Sequence, residues 1–413
     1  MGQKGSSALL EKKLLNNYEL GDFFLATPSR TVLGKGNFLT VSADKETGNN
    51  FSELSNRVSA LLSDAKKKGH KNPTIVGALP FDSHTTAKLV VPETLEISEP
   101  LEFDPKDKLE TVISSTYVIN PVPSPKEYAN GVQKGINYIK TNRLKKIVLA
   151  RSLQLTLPEP VNVNQLIHNL AVHNKQGYTF AVDLPNESAN YNPNSFVNRK
   201  TLVGASPELL VSRSGLTLTA NPLAGSRPRS KNAEEDKRRA NELLSSTKDL
   251  HEHAVVVQAV ANALKPYCKD LNVPEKPSLI HTETMWHLST EITGQIDDPS
   301  ISSLELALSL HPTPAVCGTP TDLAKQLINE IEPFDRNFFT GMVGWCDAEG
   351  DGEWIVTIRC AEVANNSLQL FAGAGVVGDS KPEEEVAETS AKFRTMLHAM
   401  GIDKESLDLK LEG

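Results

Sequence analysis

The stretch Leu370-Phe-Ala-Gly-Ala-Gly-Val-Val-Gly-Asp-Ser-Lys-Pro-Glu-Glu-Glu-Val-Ala-Glu388 constrains this chain more than any other. An apolar run reads as a strand, glycines loosen it into a loop, and an acidic helix opens behind them. Ser380 followed three residues later by Glu383 is a capping-box pattern, and Pro382 is tolerated in a first helical turn. Glu385 and Glu388 are then three apart, so both carboxylates project from one helix face. Such a pair either meets a cation or forms a solvated acidic turn. On spacing alone the solvated turn is the plainer reading.

Gly373, Gly375 and Gly378 also spell G-x-G-x-x-G between a strand and a helix, the pattern of a dinucleotide-binding turn. That turn should open a βαβ unit whose next strand carries an acidic residue about twenty positions further on. Here the helix runs to about Met400, and the tail from Gly401 to Gly413 holds no convincing strand. A dinucleotide-binding oxidoreductase is therefore disfavoured. The 413 residues carry a net charge of −8, which speaks against nucleic acid and membrane surfaces as partners. The first thirty residues are charged throughout, with no signal-like apolar run, and no later segment reaches the length of a membrane span. Cys268, Cys317, Cys346 and Cys360 form no CxxC pair and read as buried thiols. A cytoplasmic protein is expected.

Along the chain, Arg30–Leu33 and Phe38–Val41 are short strand candidates, and Phe51, Leu54, Val58, Leu61 and Leu62 mark one side of a helix. Thr74–Leu79 is an apolar run between Pro73 and Pro80, a buried strand. Residues 98–125 hold five prolines and read as a connection. Ser124 caps the next helix, and a strand runs from Leu144 to Ser152 with Lys146 and Val148 opposite Ile147 and Leu149. A lone lysine there usually snorkels from the strand entrance. The asparagine-rich segment 186–198 is a loop. Pro207 interrupts the run 202–211, so Glu208 sits at a kink or a strand start, aimed away from the sheet. Asn221–Arg229 reads as a rigid turn able to offer N–H groups and cations to an anion, or as a plain loop. Helices are expected over Gln165–Val172, Asn232–Leu244, from near Asp249, over Leu304–Leu310 and over Pro320–Ile331. Thr284–Gly294 reads as one strand, and Phe338–Asp347 pairs with Glu353–Glu362 as a hairpin. Arg359 then lies inside an apolar strand, where it needs an anionic partner, either a ligand or a structural carboxylate.

Each signal is weak alone, but their order is specific. KIVLARS, GASPELL, NPLAGSRPR, KDLHEHAVVV, HLSTEI, LHPTPAVCGTP, GMVGWCD, EWIVTIRCAE and AGAGVV with PEEEVAET occur in the order found in the chorismate-utilising enzymes, which this chain resembles over roughly residues 120–400. The resemblance implies a general base at Lys146 and a general acid at Glu208. It implies Mg2+ held by Glu252 and Glu388, with Glu385 and Asp249 nearby through water. It also implies that Arg359 and the backbone of Gly373 and Gly375 hold a substrate carboxylate, and that Gly225, Ser226 and His287 line the ring.

Within the family, Ala224 stands where some aminodeoxychorismate synthases carry a nucleophilic lysine. Lys146 stands where anthranilate synthases typically have glutamine, which points to water rather than ammonia as nucleophile, with no glutamine amidotransferase subunit. Phe339 stands where salicylate synthases often have tyrosine, so pyruvate elimination is less expected. The wording of KIVLAR and GWCD looks most like siderophore-pathway isochorismate synthases feeding 2,3-dihydroxybenzoate, with a menaquinone-pathway enzyme or a salicylate synthase as alternatives. The implied fold is one large α/β (α+β) domain over residues 1–413, with mostly antiparallel sheets packed face to face and peripheral helices. Residues 1–115 would be scaffold, residues 120–400 would bind chorismate, and the chain would act as a monomer.

Overall fold

In the computed structural model, residues 14–41, 51–103, 111–113, 116–184 and 199–402 are described. The expected loop at 186–198 lies wholly outside them. Every strand ladder among the described residues is antiparallel.

One sheet orders its strands Gly318–Thr319, Lys146–Thr156, Ser367–Val376, Cys360–Ala364, Lys200–Ser206, Tyr178–Leu184, Phe23–Ala26, Thr31–Lys35 and Thr94–Ser98. A second runs Cys268–Asn272, Ile292–Ile296, Thr217–Asn221, Leu209–Ser214, Gly352–Val356, Met342–Asp347, Thr74–Leu79, Lys88–Val91 and Leu39–Thr40. Their inner faces meet in one apolar cluster that draws Phe180, Leu202 and Phe371 from the first sheet and Val76, Val343 and Ile355 from the second. This arrangement explains why Thr74–Leu79 is a continuous apolar run. Val76 and Ala78 face the inter-sheet core, while Ile75 and Leu79 pack on helices behind the second sheet. A strand covered on both faces needs no polar alternation.

Helices fill the outer layers. Val163–His173 and Pro382–Ala399 pack behind the first sheet, and Leu54–Lys67, Thr247–Leu264 and Ser303–Leu310 behind the second. Pro125–Lys140 and Thr321–Ile331 cover the start of the Lys146 strand through Val132, Ile136, Leu327 and Ile328. Pro125–Lys140 opens on a complete capping box between Ser124 and Glu127.

Five expectations differ from the observed structure. Asn221–Arg229 is not a turn: Leu223–Pro228 forms a strand against Met285–Ser289, because the edge of that strand offers it a ladder. Thr284–Gly294 is two strands in two sheets, broken between Ser289 and Ile292. The hairpin closes only over Met342–Cys346 and Gly352–Val356, after which the chain crosses to the first sheet as Cys360–Ala364. Within 98–125, Val118–Val122 pairs with the Lys146 strand, its Pro121 tolerated at an edge position. Ser380 does not cap the last helix; Lys381 occupies that place, and the Ser380 hydroxyl instead accepts from Val377 N–H at 3.1 Å.

Gly204 is a point of close approach beside the crossing. A Cβ there would lie 2.4 Å from Phe180 Cζ and 2.8 Å from Cys360 Cβ. Gly204→Ala is expected to overpack the sheet and cost about 1–3 kcal/mol, read as a lower urea midpoint at unchanged slope. A midpoint equal to wild type would contradict this packing.

Candidate active site

Two chain segments switch sheets side by side. Lys200–Ser206 leaves the first sheet and becomes Leu209–Ser214 in the second; Gly352–Val356 leaves the second and becomes Cys360–Ala364 in the first. The backbone ties the two switches together, with Ala205 N–H donating to Arg359 C=O at 3.0 Å and Val356 N–H to Glu208 C=O at 3.2 Å. Pro207 breaks one ladder, and Arg359 breaks the other at φ +51°, a left-handed conformation costly for a side chain of this size. The kinks turn Glu208 and Arg359 out of the ladders and into one cavity. The space between its walls is about 630 Å³, open solvent at the mouth included.

The helix Thr247–Leu264 delivers Glu252 to this cavity, and the helix Pro382–Ala399 delivers Glu388 and Lys392. Lys392 Nζ lies 2.6 Å from Glu388 Oε1 and donates to Gly373 C=O at 2.8 Å. The Ser226 hydroxyl donates to Glu388 Oε1 at 3.0 Å. Burial opposes the Glu388 charge, but Lys392, Lys248 and the Ser226 hydroxyl outweigh it and hold the carboxyl below its usual range. Glu385, one turn earlier, is turned to Lys248 at 2.8 Å. Its own burial, with Glu388 beside it, pushes its carboxyl up to about 7. Asp249 is held by Arg227 at 2.6 Å. Neither Glu385 nor Asp249 lines the cavity.

Lys146 is wholly buried and lies just behind the wall. Its Nζ is 2.9 Å from Glu252 Oε1, yet the angles leave the ammonium without a proper hydrogen-bond acceptor. The snorkelling reading of this lysine is therefore wrong. The pair exists because residue 375 is glycine: a Cβ there would lie 2.0 Å from Glu252 Oε1 and 3.0 Å from Lys146 Cε. Gly373 and Gly375 sit inside the strand Ser367–Val376, opposite Ala150 and Val148, and form no phosphate-binding turn.

Glu208 is buried and receives one N–H, from Leu223 at 3.4 Å, on its carboxylate. Burial pushes its carboxyl up to about 7, against the pull of that N–H, Lys146, Arg359 and Lys392. Burial depresses the Arg359 guanidinium to about 10. Arg359 Nε is buried with no acceptor, and Nη2 lies 3.4 Å from His287 Nε2. Burial, then Arg359 and Lys392, keeps His287 well below its usual range and so neutral. The orphaned donor of the Arg359 guanidinium, which lines the cavity, suits an anionic ligand.

Of the residues singled out in the sequence, Glu208, Gly225, Ser226, Glu252, His287, Phe339, Arg359, Gly373, Gly375 and Glu388 all line this one cavity. Lys392 was missed, although its position four residues after Glu388 on the acidic helix could have signalled it. Ala224, Ala315, Val316 and Ile358 supply much of the apolar wall, and Thr340 lines it too.

The sequence profile of the chorismate binding enzymes matches residues 90–401. The chain belongs to the chorismate-binding enzyme family. It is 58% identical over 390 residues to the isochorismate synthase DhbC of Bacillus subtilis, covering 94% of this chain and 96% of that one. It is 42% identical over 381 residues to the vibriobactin-specific isochorismate synthase of Vibrio cholerae, covering 92% of each. Its fold matches the crystal structure of a Bacillus anthracis chain described as a 2,3-dihydroxybenzoate-specific isochorismate synthase, with TM-score 0.89 and 56% identity, covering 95% of this chain and 100% of that one. At 18% identity, anthranilate synthase component I of Streptococcus pneumoniae shares the fold alone, with TM-score 0.68 over 89% of this chain and 92% of that one.

Glu208 carries a stability consequence. Its folded pKa stands above the unfolded value, so the folded state loses stability as pH rises from about 4.5 to about 7. Glu208→Gln removes that loss. Relative to wild type, the variant should gain a few kcal/mol in urea unfolding at pH 8 and little at pH 4.5. An equal difference at both pH values would contradict the raised pKa.

Proposed function

We propose that this protein is an isochorismate synthase of a siderophore pathway, converting chorismate to isochorismate. The observation that carries this reading is a cavity lined by a buried acid of raised pKa, Glu208, together with Arg359 and a pair of carboxylates, with the buried lysine Lys146 just behind its wall. The relatives at 58% and 42% identity are isochorismate synthases, one of them vibriobactin-specific.

Arg359, Lys392 and the walls near Gly373 and Gly375 would bind and orient the substrate carboxylates. Lys146 would accept a proton from the water that attacks C2, which requires its amine neutral and its pair with Glu252 open. The ring double bonds shift, the C4–O bond breaks, and Glu208 gives its proton to the departing hydroxyl, which leaves as water. A pKa near 7 keeps a useful fraction of Glu208 protonated at neutral pH. Ala224 lines the cavity, and its methyl supplies no amine nucleophile.

Glu252 and Glu388 present hard oxygen donors to one cavity from two helices, a set that fits Mg2+, which commonly takes few carboxylates and keeps waters. These two would hold the ion, with Asp249 and Glu385 beside them. Bound there, Mg2+ supplies Lewis-acid stabilisation of charge on the substrate carboxylate.

We further read residues 1–413 as one catalytic unit, because Phe23–Ala26, Thr31–Lys35 and Thr74–Leu79 lie inside the two main sheets. Among the described residues no helix is long and apolar enough to cross a membrane. A cytoplasmic monomer working without an amidotransferase subunit completes the reading.

Chorismate, Mg2+ and product chromatography test it. Isochorismate should dominate; salicylate or anthranilate as main product would overturn the assignment. Lys146→Ala and Glu208→Ala should each lower kcat by about 10²–10⁴-fold, and EDTA should abolish turnover until Mg2+ is restored. Near-full activity in either variant, or indifference to EDTA, would contradict the corresponding role.

A further inference from the structure

Behind the cavity, and not on its wall, lies an ion pair between Glu332 and Arg336, each side chain 2% exposed. Arg336 Nε donates to Glu332 Oε2 at 2.8 Å. Nη2 donates to Glu332 Oε1 at 2.5 Å as well, and the other donors go to three separate segments. Nη2 reaches Val148 C=O on the Lys146 strand at 2.8 Å. Nη1 reaches Val316 C=O at 2.8 Å and Thr340 Oγ1 at 3.3 Å. The guanidinium also lies over the Phe339 ring at 5.8 Å, and that ring stacks on Phe371 at 5.0 Å. Glu332 Oε1 completes the set by accepting from Ala150 N–H at 2.7 Å. The small strand Gly318–Thr319 pairs with this strand only at Ile147 and Lys146, so the carboxylate acts as strand partner where that ladder has ended.

We infer that Glu332 and Arg336 are a positioning pair for the reaction, and this inference rests on the isochorismate synthase reading. One guanidinium fixes the spacing between the strand that carries Lys146 and the wall built from Val316, Phe339 and Thr340. A planar fork with five donors can bridge these acceptors at once, whereas an ammonium cannot. The backbone at Asn337 and Thr340 is left-handed, at φ +47° and +60°, so this segment does not relax into a regular element. Neither residue touches the cavity, so the pair acts through the groups it holds.

The test uses the full-length enzyme with chorismate and Mg2+, and compares Arg336→Lys, Glu332→Met and the double variant Glu332→Met with Arg336→Met. Breaking a buried pair on one side is destabilising, whereas replacing both partners with apolar groups is often neutral. Glu332→Met should therefore lower Tm, and the double variant should recover most of it. Catalysis should not follow stability. Arg336→Lys and the double variant, corrected for folded fraction, should lose on the order of 10–100-fold in kcat, with KM for chorismate within about threefold. Recovery of kcat together with Tm in the double variant would overturn the positioning role and leave a purely structural one. Should the double variant not fold, a wild-type kcat in folded Arg336→Lys overturns it alone. A wild-type enzyme that makes no isochorismate would instead sink the functional reading.

Discussion

The paired change of sheet at Pro207–Glu208 and Thr357–Arg359 is the constraint on which the site depends. Two antiparallel sheets packed face to face ordinarily fill the space between them with apolar side chains. Here two adjacent segments cross between the sheets at one level, and each must stop its ladder to do so. The broken ladders release a carboxylate and a guanidinium into an interior otherwise held by Phe180, Val343, Ile355 and Phe371. The left-handed backbone at Arg359 is the local cost. Hydrogen bonds between the two crossings, and a glycine at 204 that lets Phe180 and Cys360 approach, hold the strained geometry in place.

Charge then organises the rest. Three buried or half-buried carboxylates around the cavity each have their own lysine: Glu252 with Lys146, Glu388 with Lys392 and Glu385 with Lys248. Glu208 differs, because its nearest cations are not in contact and burial dominates. Similar side chains are thus pushed to opposite protonation states, Glu388 toward the anion and Glu208 toward the neutral acid. That separation is what an acid-assisted loss of hydroxide needs.

Much of this was legible in the sequence, for identifiable reasons. Thr74–Leu79 read as a buried strand because its apolar run is uninterrupted, and Pro207 correctly placed Glu208 at a kink. The spacing of Glu385 and Glu388 gave a shared helix face, but not their divergence to different lysines, which depends on a helix 130 or more residues away in sequence. Local pattern misjudged two other places where the chain changes sheets. Glu353–Glu362 and Thr284–Gly294 each look like one strand, since strand propensity carries no record of which neighbour a residue will pair with. Lys146 looked like an entrance residue because the glycine that makes room beside it, Gly375, lies on another strand. The resemblance to the family, not spacing, supplied its role.

In the proposed reaction solvent water supplies the new hydroxyl while Glu208 expels the old one. Turnover of chorismate in ¹⁸O-labelled water, followed by mass spectrometry of the isochorismate formed, tests it most directly. The product should carry one solvent-derived oxygen, on C2. Product in which the C4 oxygen has been retained, with no solvent label, would contradict it.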